Sequence, residues 1–146
     1  MLNNDELMAS WALDCKIDQT NLSERMSSHP VLHSKYLTYL QTYKIKLRTL
    51  SLKYQKRRQL MTKYYNGEMD EEDLKFNNLK QWLYKKPLRS EMESLLDADE
   101  SLQLIKEQIL YVETMVQASE SILKDIGNQY FLLKSLVDYT KFQAGV

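Results

Sequence analysis

Residues 102–137 read LQLIKEQILYVETMVQASESILKDIGNQYFLLKSLV. Within them a seam of apolar or small side chains recurs at Leu102, Ile105, Ile109, Val112, Val116, Ser119, Leu123, Ile126, Tyr130, Leu133 and Val137. After a first step of three the spacing alternates between four and three. That is the heptad period of a helix packed against another helix, not the period of two that a strand shows. A second, offset seam runs through Leu104, Tyr111, Met115, Ala118, Ile122, Leu132, Leu136 and Tyr139. Two adjacent seams make a wide apolar stripe whose two flanks must both be covered. A helix over 100–143 is therefore expected, with a kink at Gly127-Asn128.

Upstream, the chain from Pro30 to Tyr65 has no further Pro and no Gly, and Gly67 follows as a stop. Its seam falls at Tyr36, Leu40, Tyr43, Leu47, Leu50, Tyr54, Arg57, Met61 and Tyr64, again in steps of four and three. A second long helix over 30–65 is expected, with Pro30 in its first turn and a link over 17–29 before it. Asn3 and Glu6 form a capping-box pattern for a first helix, 4–16, on which Trp11 reads as a docking anchor. Between the long helices, Asp70–Asp73 can cap a short helix, and Phe76, Leu79, Trp82, Leu83 and Tyr84 suggest further helical turns ended by Pro87. Ser90 with Glu93 reads as another capping box, and Asp97–Glu100 either continues that helix or caps a new one.

Composition agrees. Three Gly and two Pro in 146 residues are too few for the turns of a sandwich, barrel or dinucleotide-binding fold. The fold class expected is all-α: long helices with heptad spacing, whose double seam is covered either within one chain as a bundle or between copies in a ring where each helix touches two others. Mean hydropathy is −0.54, and no apolar run approaches the roughly 20 residues that span a bilayer. The acidic start is not a signal peptide, so a cytoplasmic protein is expected.

Net charge is zero, but its parts differ: −4 over 1–24, +10 over 25–67, 0 over 68–89 and −6 over 90–146. Residues 25–67 contain no carboxylate at all. A cationic surface of this kind meets phosphates by releasing their counterions. The alternatives are a solvated helix face and a dock for an acidic partner or for the chain's own acidic third; on the phosphate reading the chain divides into a basic, strand-binding N-terminal part (1–89) and an acidic oligomerisation part (90–146).

Chemistry for catalysis is missing. His29 and His33 are four apart but straddle Pro30, Cys15 is the lone cysteine, and no glycine-rich phosphate loop is present. No enzyme activity, metal or cofactor is expected. What remains is binding. Lys35, Lys46 and Lys53 share a line beside the seam, which Lys56 and Arg57 extend; Arg58 points near the seam and must meet an acid or snorkel. Tyr39 and Tyr65 fall off the seam and read as rings on which bases stack. Trp82, Tyr84, Lys80, Lys85 and Lys86 form a second basic, aromatic patch, suited equally to docking or to nucleic acid.

Several strings then become familiar: Ile17-Asp18-x-Thr20-x-Leu22, Ser34-Lys35 followed by an aromatic and Leu37, Tyr64-Tyr65-Asn66-Gly67, Ser90-Glu91-Met92, Ala98-Asp99, and Phe142-x-Ala144-Gly145. In order and spacing the chain resembles the UvsY family, recombination mediators of T4-like phages. The resemblance implies a non-catalytic protein that binds single-stranded DNA and helps a RecA-like recombinase displace the phage single-strand-binding protein. It also implies a homo-oligomeric ring of the hexamer or heptamer class, acting in the cytoplasm of an infected bacterium. The family's binding motif is a Lys and an Arg before the Tyr-Tyr pair; Gln59 and Met61 stand at those positions here. Lys56, Arg57 and Lys63, with Arg58, are expected to replace those charges; together with Lys35, Lys46 and Lys53 from the line beside the seam and the off-seam Tyr65, they make the expected strand-binding set. The expected subunit interface is the first seam, Leu102, Ile105, Ile109, Val112, Val116, Leu123, Ile126, Tyr130, Leu133 and Val137. The competing reading is a non-enzymatic coiled-coil adaptor whose basic helix docks an acidic protein.

Overall fold

The computed structural model describes residues 1–145. It contains five α-helices and no strand among the described residues: α1 (Asn4–Asp14), α2 (Leu22–Tyr65), α3 (Glu71–Phe76), α4 (Arg89–Ala98) and α5 (Glu100–Gln143). None is long and apolar enough to cross a membrane among the described residues.

The two 44-residue helices follow from the seams, and their ends follow from caps. At the end of α2, Gly67 takes φ 71°, its N–H donates to the Tyr64 carbonyl (3.0 Å), and the Glu68 N–H donates to Lys63 (3.1 Å). This is the Schellman closure that favours glycine. Asn78 closes α3 in the same way with φ 54°. Gly127, by contrast, continues α5 without a break in the helix, and a Cβ built there meets nothing within 4 Å. Gly67→Ala is therefore expected to lower stability by about 1 kcal/mol, and Gly127→Ala to raise it by about 0.5–1 kcal/mol. Paired denaturant titrations of the two variants check the opposite signs.

Three expectations about local structure need correction. The link expected over 17–29 is only a short connection with a 3-10 turn at Gln19–Asn21, and α2 already begins at Leu22, so Pro30 lies inside it. An interior proline costs roughly 3 kcal/mol. Here tertiary contacts offset it: Leu22 is buried, Arg25 Nη2 donates to Gln129 Oε1 (2.7 Å), and the His29 ring lies 6.1 Å from that of Tyr130. Next, residues 79–88 are not helical, because αL closure at Asn78 redirects the chain and the rings beyond it pack one by one. Finally, α4 begins at Arg89, two residues before the position a Ser90 cap implies; Glu91 Oε2 accepts the Leu88 N–H (2.9 Å) instead.

The chain divides into two compact units, and the division cuts both long helices rather than following the charge blocks 1–89 and 90–146. The first comprises Met1–Lys46 and the chain from Val112 on. In it Leu7, Tyr36, Tyr43, Met115, Ser119, Ile126 and Leu133 are buried. Trp11 meets Tyr36 edge to face (5.4 Å), and Tyr36 OH donates to Asp14 Oδ2 (2.9 Å). The second unit, Leu47–Tyr111, centres on Met61, Tyr65, Met92, Leu96 and Leu102, flanked by Tyr54, Tyr64, Leu79, Trp82 and Leu95.

Candidate nucleic-acid interface

An α-helix with one apolar seam turns its remaining side chains to solvent, so the acid-free run on α2 becomes a cationic outer face. Its cations divide into engaged and free. In the first unit Lys35 is engaged: its Nζ donates to Asp14 Oδ2 (2.6 Å) and Ser10 Oγ (3.0 Å). Lys46 is exposed and has no ion pair among the described residues.

In the second unit Arg58 does meet an acid, donating from Nη2 to both Glu93 oxygens (2.8 and 2.9 Å). Lys63 lies 3.6 Å from Asp73 Oδ2, both about half exposed. An exposed pair of this kind holds its lysine weakly and leaves it able to exchange partners. Arg57 Nε donates to Ser101 Oγ (2.9 Å). Lys53 and Lys56 are exposed and have no hydrogen bond or ion pair among the described residues. Arg48 shares this state. It is absent from the sequence-based set, although a helical wheel places it opposite the buried seam. Arg48, Lys56 and Lys63, with Gln59 between the last two, fall within roughly 80° on the helix at 3.6 residues per turn.

Tyr65 is a correction. It was expected to offer its ring to a base, but it is 8% exposed. Its ring packs edge to face on Trp82 (4.8 Å), and its hydroxyl donates to Asp99 Oδ2 (2.8 Å). Asp99, itself 8% exposed, also accepts from the Leu102 N–H (3.0 Å) at the start of α5 and from the Ser101 hydroxyl. Burial alone would raise the Asp99 pKa. The bonds from Ser101, Tyr65 and Leu102, with the nearby Arg57 charge, outweigh it and hold the carboxyl below its ordinary value. Burial first, then the bond to Asp99 and its charge, pushes the Tyr65 phenol up. One carboxylate thus ties the end of α2 to the start of α5 and orients Arg57.

The first seam of α5 is also placed differently from its expected role. Leu102, Ile105, Val112, Ile126 and Leu133 are buried within the single chain, and Ile109, Val116, Leu123 and Val137 are half-buried. Tyr130 stays 47% exposed. The offset seam is mixed: Met115 and Ile122 are buried, whereas Leu104 and Tyr111 in the second unit and Leu132 and Tyr139 in the first are each about half exposed.

Residues 10–146 match the family described as "Recombination, repair and ssDNA binding protein UvsY". The chain belongs to the UvsY family. It is 26% identical over 143 residues to the recombination protein uvsY of Enterobacteria phage T4, covering 97% of each chain. Its fold is that of the bacteriophage T4 recombination mediator protein UvsY. One crystal form superposes with a TM-score of 0.85 at 20% identity over 99% of both chains. A second gives 0.82 at 20% identity over 94% of this chain and 98% of that one. Within this UvsY fold Gln59 is exposed, whereas Met61 is 3% exposed in the core of the second unit. A base at position 61 would have to leave that core. On the outer face of α2 itself, Arg48, Lys53 and Lys56 stand exposed without an ion pair among the described residues.

Proposed function

We propose that this chain is a single-stranded-DNA-binding recombination mediator. It loads a RecA-like phage recombinase onto DNA covered by the phage single-strand-binding protein, in the cytoplasm of the infected host. The observation that carries the reading is the outer face of α2. There, in a member of the UvsY family, Arg48, Lys53 and Lys56 stand exposed and uncompensated in a run without carboxylates. Lys63 and Arg58 add charge once a phosphate competes with Asp73 or Glu93. Lys46 extends the same chemistry in the first unit, and Lys35 contributes only if released from Asp14.

Self-association multiplies weak single sites into avidity. The exposed apolar side chains of α5 in the first unit, Leu132 and Tyr139 with Phe131 and Phe142, are the surface we assign to it. A homo-oligomeric ring would then hold the strand on many cationic helices at once and keep it from a competing binder. The role asks for no bond-making residues, only for differential binding.

The reading is tested with a recombinase whose ATPase depends on single-stranded DNA. On DNA precoated with single-strand-binding protein, adding this chain is expected to shorten the lag before hydrolysis begins. An unchanged lag across a range of protein concentrations, with the strand demonstrably bound, removes the loading role.

A further inference from the structure

Residues 74–90 contain no carboxylate and five cations: Lys75, Lys80, Lys85, Lys86 and Arg89. All five are exposed and none forms an ion pair among the described residues. The same segment carries the outer end of an aromatic run. Tyr64 and Tyr65 have ring centroids 5.2 Å apart, Tyr65 and Trp82 4.8 Å, and Trp82 and Tyr84 4.7 Å. Tyr65 is buried and Trp82 half-buried, but Tyr84 is 74% exposed.

Trp82 and Tyr84 line an open groove of about 720 Å³, with Lys85, Pro87, Glu91, Ser94 and Leu95. That volume lies within the usual range for a small-molecule cleft. Glu91, its one acid, is engaged in accepting the Leu88 N–H (2.9 Å). Trp82 Nε1 is buried and has no hydrogen-bond acceptor among the described residues. Core packing accounts for Trp82. It does not account for an exposed tyrosine followed by two unpaired lysines.

We propose that this groove is a nucleotide subsite for single-stranded DNA, distinct from the outer face of α2. A base stacks on Tyr84 beside Trp82, and the flanking phosphates meet Lys85 and Lys86. Every base has a π face, so such a site is tolerant of sequence. The cations favour a polyanion, and the exposed flat ring favours a base over the apolar side chain of a peptide. The inference rests on the strand-binding reading above.

The full-length chain with Trp11→Phe leaves Trp82 as the only indole. It is titrated with an oligo-dT strand at low salt while the emission of Trp82 is followed. Quenching is expected on binding. Tyr84→Phe should bind as the parent does, and Tyr84→Ala about tenfold more weakly or worse. Lys85→Ala with Lys86→Ala should reduce the slope of log K against log salt by about 1.4, at about 0.7 per phosphate released. These lysines are exposed and carry the test even if Tyr84→Ala loses helical signal. A parent that binds, with both variants indistinguishable from it and a silent indole, overturns the subsite alone and leaves an acidic peptide as the occupant to seek. A parent that binds no strand overturns both the subsite and the strand-binding reading.

Discussion

Asp99→Ala is expected to destabilise the protein by on the order of 3 kcal/mol. The change removes an N-cap from α5, worth about 1 kcal/mol. It also leaves the Tyr65 hydroxyl buried without its acceptor, at roughly 1–3 kcal/mol. Arg57 loses its nearby countercharge in the same step. Asp99→Asn, which can still cap the helix, should cost less, and Tyr65→Phe less again. A denaturant midpoint for Asp99→Ala within about 0.5 kcal/mol of the parent would remove this carboxylate from its assigned role. The pH dependence has a definite sign. The Asp99 pKa is depressed in the folded chain, so its stabilisation is fully present above the unfolded value near 3.9. It is lost as pH falls through the lower folded value. Acid titration should thus unfold the parent with a component that Asp99→Asn lacks.

Removing the free cations of α2 in the second unit should abolish most strand binding without touching the fold. Arg48, Lys53 and Lys56 are exposed and unpaired among the described residues, so changing all three to Ala breaks no hydrogen bond or ion pair seen there. If each meets one phosphate, the salt slope falls by about 2, and affinity at 0.1 M salt falls by about 100-fold. Native mass should be unchanged, because none of the three belongs to the apolar face of α5. Changing Arg57 or Arg58 instead confounds binding with stability. Arg57 holds Ser101 beside Asp99, and Arg58 is bound to Glu93. Full binding by the triple variant at every salt concentration would move the strand elsewhere on the molecule.

These predictions differ from what periodicity alone suggests, and the difference is physical. A wheel places Arg57 beside Lys53 and Lys56 as an equal. It does not show that Ser101 and Asp99, 44 and 42 residues away, converge on it. The same blindness put Tyr65 on the surface. A residue off the seam of one helix can still be buried by a segment that returns from elsewhere, as Trp82 does here. Pro30 shows the converse: local rules start a helix at a proline, and contacts with Gln129 and Tyr130 extend it backward to Leu22.

What the amino-acid order determines by itself is the period and the charge. Steps of three and four over 102–137 allow only a helix, and 43 residues without an acid allow only a cationic face. Both are properties of neighbours along the chain, so no tertiary information is needed to see them. The partner of each apolar face is a different matter. Burial stabilises equally whether the covering surface comes from the same chain or another, so a seam cannot name its partner. The folded chain covers Leu102, Ile105, Val112, Ile126 and Leu133 itself and leaves Leu132 and Tyr139 open. Which lysines remain free for a phosphate is decided in the same way, by which carboxylates the fold carries within reach.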